Sequence, residues 1–175
     1  MPRAERHRNR IATAGHKPAV FAVNHWRIGA LAAGGQERTI STADLQANKA
    51  LVLAHYDAVT NGHDPAAIHA QIAPDFFDHA VGAAMSADEV IAHSRDLHAI
   101  FSGLHAQAED IIAEGDLVAA RMVWRGVHIG PWQGVAATGR RVEFRGMTFW
   151  RVRDGRIAER WANIDYAGLR AQLAG

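Results

Sequence analysis

Asp165 and His79 are two residues of this sequence that could do acid/base chemistry. Desolvation opposes ionisation of a carboxyl group in apolar surroundings and moves its pKa towards neutrality. One such group can take a proton from an activated methylene and later return it to an alkoxide. Trp161 and Ile164 flank Asp165 and would supply those surroundings. The competing role for Asp165 is the N-cap of a closing helix. His79 follows Asp78. A neutral imidazole there would hydrogen-bond a ketone or relay a proton, or else be a core histidine satisfied by backbone. Trp124, Trp150 and Trp161 each alternate onto a sheet face, which suits either the wall of a site for planar ligands or plain core packing. Tyr56 would offer its hydroxyl to a substrate oxygen or finish the core, and His128 shares a strand face with Met122 and Trp124.

Other chemistries find less support. The chain has no cysteine, which removes disulfides, thiolate nucleophiles and zinc–cysteine sites together. Eleven histidines invite a metal reading, but no His-x-x-x-His pair lies on one helical face, and His93 and His98 are five apart. No metal site is expected. Glycine-rich phosphate loops are missing, so no nucleotide cofactor is expected. The segment Gly126-Val127-His128-Ile129-Gly130 lacks the serine of a nucleophile elbow. A net charge of +1 gives no global field for nucleic acid or an acidic membrane. No apolar run approaches the roughly 18 residues of a membrane span. Asn24, His25 and Arg27 interrupt the stretch 19–33, which argues against a signal peptide. A cytoplasmic location is expected.

The elements that must position these side chains follow from periodicity. The chain has 175 residues, 49% hydrophobic and 21% charged, as expected for one globular domain plus an extension. Residues 1–40 form the extension, and the first twenty hold five basic residues against Glu5. It reads as a disordered basic arm or as an arm packing on a second subunit. Residues 41–175 form the domain. Thr42 caps a helix over 43–60 that Asn61-Gly62 ends. Asp64 and Pro65 open a short second helix, which Pro74 stops. Ser86 and Glu89 form a capping box for a third helix, running to Gly103. The period then changes to two. Hairpin turns at Glu114-Gly115-Asp116 and Asp154-Gly155 separate long strands. Val118, Ala120, Met122 and Trp124 share a face of one strand, and Val142, Phe144, Thr148 and Trp150 a face of the next. A last strand, 156–164, puts Ile157, Glu159, Trp161 and Asn163 on one side, and a short helix closes the chain. Helices followed by an antiparallel meander make an α+β fold, with the helices over one face of a curved sheet.

Several segments resemble the SnoaL-like polyketide cyclase or ester cyclase family. They include His55-Tyr56-Asp57-Ala58, Ala73-Pro74-Asp75-Phe76 with Asp78-His79, Thr138-Gly139-Arg140, Glu159-Arg160-Trp161 with Asp165, and Gly168-Leu169. The resemblance covers roughly residues 44–174. It implies an NTF2-like (cystatin-like) cone with a deep apolar pocket, frequent homodimers, and cofactor-free aldol-type ring closure by an aspartate. Asp165 is the matching carboxylate. Relatives often have proline where Ala137 stands. Related epoxide hydrolases need an acidic residue two positions after an arginine such as Arg145, where this chain has Met147. The expectation is therefore a cyclase acting on a polyketide-like or other small carbonyl compound, with catalytic Asp165 and His79 and with Tyr56, Trp124, His128, Trp150 and Trp161 binding substrate. The alternative is a non-catalytic binder of a small hydrophobic molecule on the same scaffold.

Overall fold

A computed structural model describes residues 40–174, so expectations for residues 1–39 lie outside the described part. Four α-helices and six strands form among the described residues, the helices and the four long strands in the expected order. Helix α1 (Thr42–Tyr56) is capped by Ser41, one residue earlier than expected, in a reciprocal capping box with Asp44. It runs directly into a π-helical turn, Asp57–Asn61. Asn61 fixes the end of that turn by exchanging hydrogen bonds with the Ala106 backbone, accepting from N–H at 2.7 Å and donating to C=O at 3.2 Å. Helix α2 (Pro65–Gln71) starts on the Asp64 side chain, which accepts from Ala66 and Ala67 N–H, with proline at the first position where no donor is needed. Strand β1 (Ile72–Asp78) follows without a break, so Pro74 sits inside a strand. A two-residue strand β2 (Ala83–Ala84) precedes α3 (Ala87–Ile100), which carries the Ser86–Glu89 capping box.

The long strands are β3 (Phe101–Glu114), β4 (Leu117–His128), β5 (Arg141–Arg153) and β6 (Arg156–Ile164), and α4 (Tyr166–Ala174) closes the described chain. The sheet order is β2-β1-β6-β5-β4-β3, antiparallel except for the parallel pair β1–β6. Strand β1, early in the sequence, thus covers the edge of the last strand, β6. On β4 and β5 the alternation holds as expected. Val118, Met122, Phe144, Thr148 and Trp150 are buried, whereas Arg121 and Arg125 face out. The inner faces pack on Val52, Tyr56 and Val59 of the first helical segment and on Ile68 and Val90. Burying each of these large apolar side chains contributes about 1.5–3 kcal/mol. No helix among the described residues is long and apolar enough to cross a membrane.

Candidate active site

Between the helices and the inner face of the sheet lies a cavity of about 210 Å³. Its floor is apolar and aromatic: Phe76, Leu104, Trp124 and Trp150 are each at most 6% exposed. Trp124 stacks on Phe144 at 5.5 Å. Tyr56 meets Trp124 and Trp150 edge-on. Its hydroxyl is 2.8 Å from the Thr148 hydroxyl, which also accepts the Trp150 indole N–H at 3.1 Å. Burial raises the Tyr56 pKa, so the phenol stays protonated.

Polar groups enter this apolar space at few points. Asp78 is buried, at the end of β1. One carboxylate oxygen accepts N–H bonds from Ala80 at 2.9 Å and Val81 at 3.4 Å, and the other accepts from Arg160 Nη1 at 2.7 Å. Arg160 projects from β6 over the Trp150 ring at 5.5 Å. Its Nε and Nη2 have no hydrogen-bond partner among the described residues, and its side chain is 18% exposed, so spare donors face the cavity. His93 and Asp96, one turn of α3, and Tyr166 of α4 stand at the more open end. His93 is an exposed residue that also borders the cavity. Protein packed around the ring lowers its pKa, the Arg160 charge lowers it further, and Asp78 and Asp96 oppose the shift. His93 is therefore neutral at pH 7, with its ring among three charges. Desolvation raises the pKa of Tyr166.

The SnoaL-like polyketide cyclase family model matches residues 50–173. The chain belongs to this family. Solved structures agree. IdmH, a candidate polyketide cyclase from Streptomyces antibioticus, is 32% identical, with a TM-score of 0.65 over 73% of this chain and 99% of that one. TsrD from Streptomyces laurentii is 25% identical, with a TM-score of 0.68 over 77% of this chain and 98% of that one. AclR, a candidate hydroxylase from Streptomyces galilaeus, is 28% identical, with a TM-score of 0.66 over 74% and 82%. No curated protein sequence matches. The fold of this SnoaL-like chain is thus the expected NTF2-like one.

Within this SnoaL-like cavity the residues singled out from sequence divide. Tyr56, Trp124 and Trp150 line it. Asp165 does not. It is exposed, and its carboxylate accepts the Gly168 N–H at 2.7 Å as the N-cap of α4. Asp165 lacks the apolar surroundings expected of it. His79 also lies outside, stacked on Trp161 at 4.3 Å and hydrogen-bonded to Glu159 at 2.8 Å. Strand alternation explains this: Phe76 and Asp78 point in, so Phe77 and His79 point out. His128 is fully buried against Phe101, with Nδ1 held by Thr138, and does not line the cavity.

Trp161 is displaced by a β-bulge. Val152 pairs with Ile157 but Arg151 pairs with Glu159, so Ala158 is extra and the phase of β6 reverses. Beyond the bulge Arg160 opposes Trp150 on the inner face, and Trp161 opposes Phe149 on the outer face. Sequence reasoning missed Arg160 and Asp78 as site residues for these two reasons, and His93 because it falls off the apolar stripe of α3. Among the described residues no group of three or more His, Asp or Glu side chains converges as metal ligands.

Proposed function

We propose that this SnoaL-like chain is a cyclase that performs cofactor-free acid/base chemistry on a small carbonyl compound inside the cavity. The observation that carries this reading is Arg160, a half-buried cation with spare N–H donors beside a neutral histidine in an apolar space. The cavity suits a substituted single ring, since an apolar cavity of about 150 Å³ already takes up benzene. Neutral His93 removes the acidic proton from the carbon between two carbonyls. The resulting enolate oxygen is held by Arg160, whose orientation Asp78 fixes. Low local dielectric makes that contact strong. The enolate carbon then attacks a pendant ketone, forming the ring C–C bond and an alkoxide. The imidazolium of His93 returns its proton to that alkoxide, so the proton count closes and His93 is again neutral. Tyr56, Trp124 and Trp150 hold the ring flat against the floor.

The test is ring closure of a 1,3-diketone bearing a pendant ketone, followed by NMR. His93→Ala should lower kcat by about 10²–10⁴ with KM little changed, the range expected for losing a general base. Full turnover in His93→Ala, or no closure by the wild-type chain on any such diketone it binds, would sink the catalytic reading. In the second case the binding alternative remains.

A further inference from the structure

The floor of the cavity holds a polar group that the acid/base reading leaves idle. His55 lies in the last turn of α1 and is 4% exposed, yet it is a cavity-lining residue. Its Nδ1 is 3.0 Å from Gln71 Oε1. A carbonyl oxygen only accepts, so Nδ1 carries the hydrogen and Nε2 presents a bare lone pair. No described residue donates to that lone pair. Arg160 acts on the ring by its charge but makes no hydrogen bond to it, and two neighbouring donors are engaged elsewhere. The Trp150 indole, edge-on to His55 at 5.3 Å, gives its N–H to Thr148, and the Tyr56 hydroxyl is paired with Thr148 too. Protonation does not fill the gap either, because desolvation and the Arg160 charge keep the ring uncharged at neutral pH. Unlike the sealed nitrogens His98 Nε2 and His128 Nε2, this one is not cut off from water, and His55 borders the cavity. A ligand that fills the cavity without donating to it leaves the acceptor buried and unmet, which is costly.

We infer that His55 Nε2 is the acceptor for a hydroxyl on the bound ligand, so that the floor of the cavity selects a phenol, enol or alcohol. A ketone or ether oxygen has no hydrogen to give and leaves the lone pair unmet. The enol form of a 1,3-dicarbonyl satisfies it, which gives a chemical reason for that substrate class. The inference rests on the cavity as the ligand site shared with the reading above. It concerns what binds and does not depend on what reacts.

Three probes of one shape separate the possibilities. 4-Ethylphenol can donate, 4-ethylanisole keeps the oxygen without the hydrogen, and ethylbenzene lacks both. Calorimetry on the full chain should show 4-ethylphenol binding about tenfold tighter than either of the others, the size expected for one well-placed buried hydrogen bond. In His55→Phe the three affinities should converge while ethylbenzene binding persists. Equal binding of phenol and anisole by the wild-type chain overturns the inference, as does a preference that survives in His55→Phe. Histidine ¹⁵N NMR gives a readout that does not depend on a variant's folding. 4-Ethylphenol, and not ethylbenzene, should shift a bare Nε2 resonance towards the hydrogen-bonded range; no shift on saturation overturns the inference. Phenol preference without diketone turnover defeats only the acid/base reading. Turnover without phenol preference defeats only this one.

Discussion

Two aspartates end two adjacent parallel strands and meet opposite fates. Asp78 closes β1 and Asp165 follows β6, and each accepts backbone N–H bonds from the chain just beyond it. Asp78 is 5% exposed and grips Arg160 inside the cavity. Asp165 is exposed and serves only the helix it caps. The local chemistry is nearly the same, and burial sets the difference. A carboxylate that water still solvates is a capping group. One that water has left must be held by charge and hydrogen bonds, and the arginine that holds it becomes available to a ligand.

The sharpest break of this comparison is Asp78→Ala. It strands the Arg160 charge in an apolar space, and removing one partner of a buried pair costs about 3–5 kcal/mol. Urea unfolding should show the loss as a lower midpoint. The double change Asp78→Leu with Arg160→Met should recover most of the stability and none of the turnover, because the apolar pair needs no solvation but offers no donors. A single variant as stable as the wild type would mean that Arg160 is solvated and that the cavity is not the low-dielectric site described.

Acidification probes the same contrast with a histidine. Burial, with a smaller contribution from the Arg160 charge, lowers the pKa of His55 from 6.5 to about 4, against a raising effect of its Gln71 hydrogen bond. The unfolded chain takes up this proton below 6.5, and the native chain only near 4. Stability is therefore full above that window and lost as pH falls through it. A depression of that size corresponds to about 3 kcal/mol by pH 4. His93, whose pKa is lowered chiefly by burial, contributes with the same sign. Urea midpoints between pH 7 and pH 4 check this, and His55→Phe should flatten most of the slope. A flat profile in the wild-type chain would place the His55 ring in water.

How far all this was legible in the sequence depended on whether the signal was local. The caps at Asp64-Pro65 and Ser86–Glu89, the tight turns and the inner faces of β4 and β5 were readable, because each is set by residues a few positions apart. The cavity's Trp124 and Trp150 followed from the same alternation, and Tyr56 from the helical stripe of α1. Arg160 did not, since its side is set by a bulge that exists only in the pairing of β6 with β5. Plain alternation from Ile157 sends Glu159 and Trp161 inward, which is why Trp161 was expected in the wall. Asp78 was passed over for His79 for a related reason. The phase of β1 depends on Phe76 being inside, and neighbouring Phe77 is an equal candidate on composition alone.

The smallest effect belongs to Asp165, the residue the sequence pointed to first. Asp165→Ala removes the oxygen that accepts the Gly168 N–H and takes a negative charge from the α4 N-terminus. Loss of such a cap costs about 1 kcal/mol. Asparagine offers an equivalent oxygen, so Asp165→Asn should unfold at nearly the wild-type midpoint. Neither change alters the cavity wall, so turnover should stay within about twofold, far from the tenfold that about 1.4 kcal/mol on the barrier would give. If Asp165→Asn instead abolished turnover while the protein stayed folded, α4 would have to swing its first turn into the cavity during the reaction. The two aspartates would then share one site, and the division drawn between them would describe only the unliganded chain.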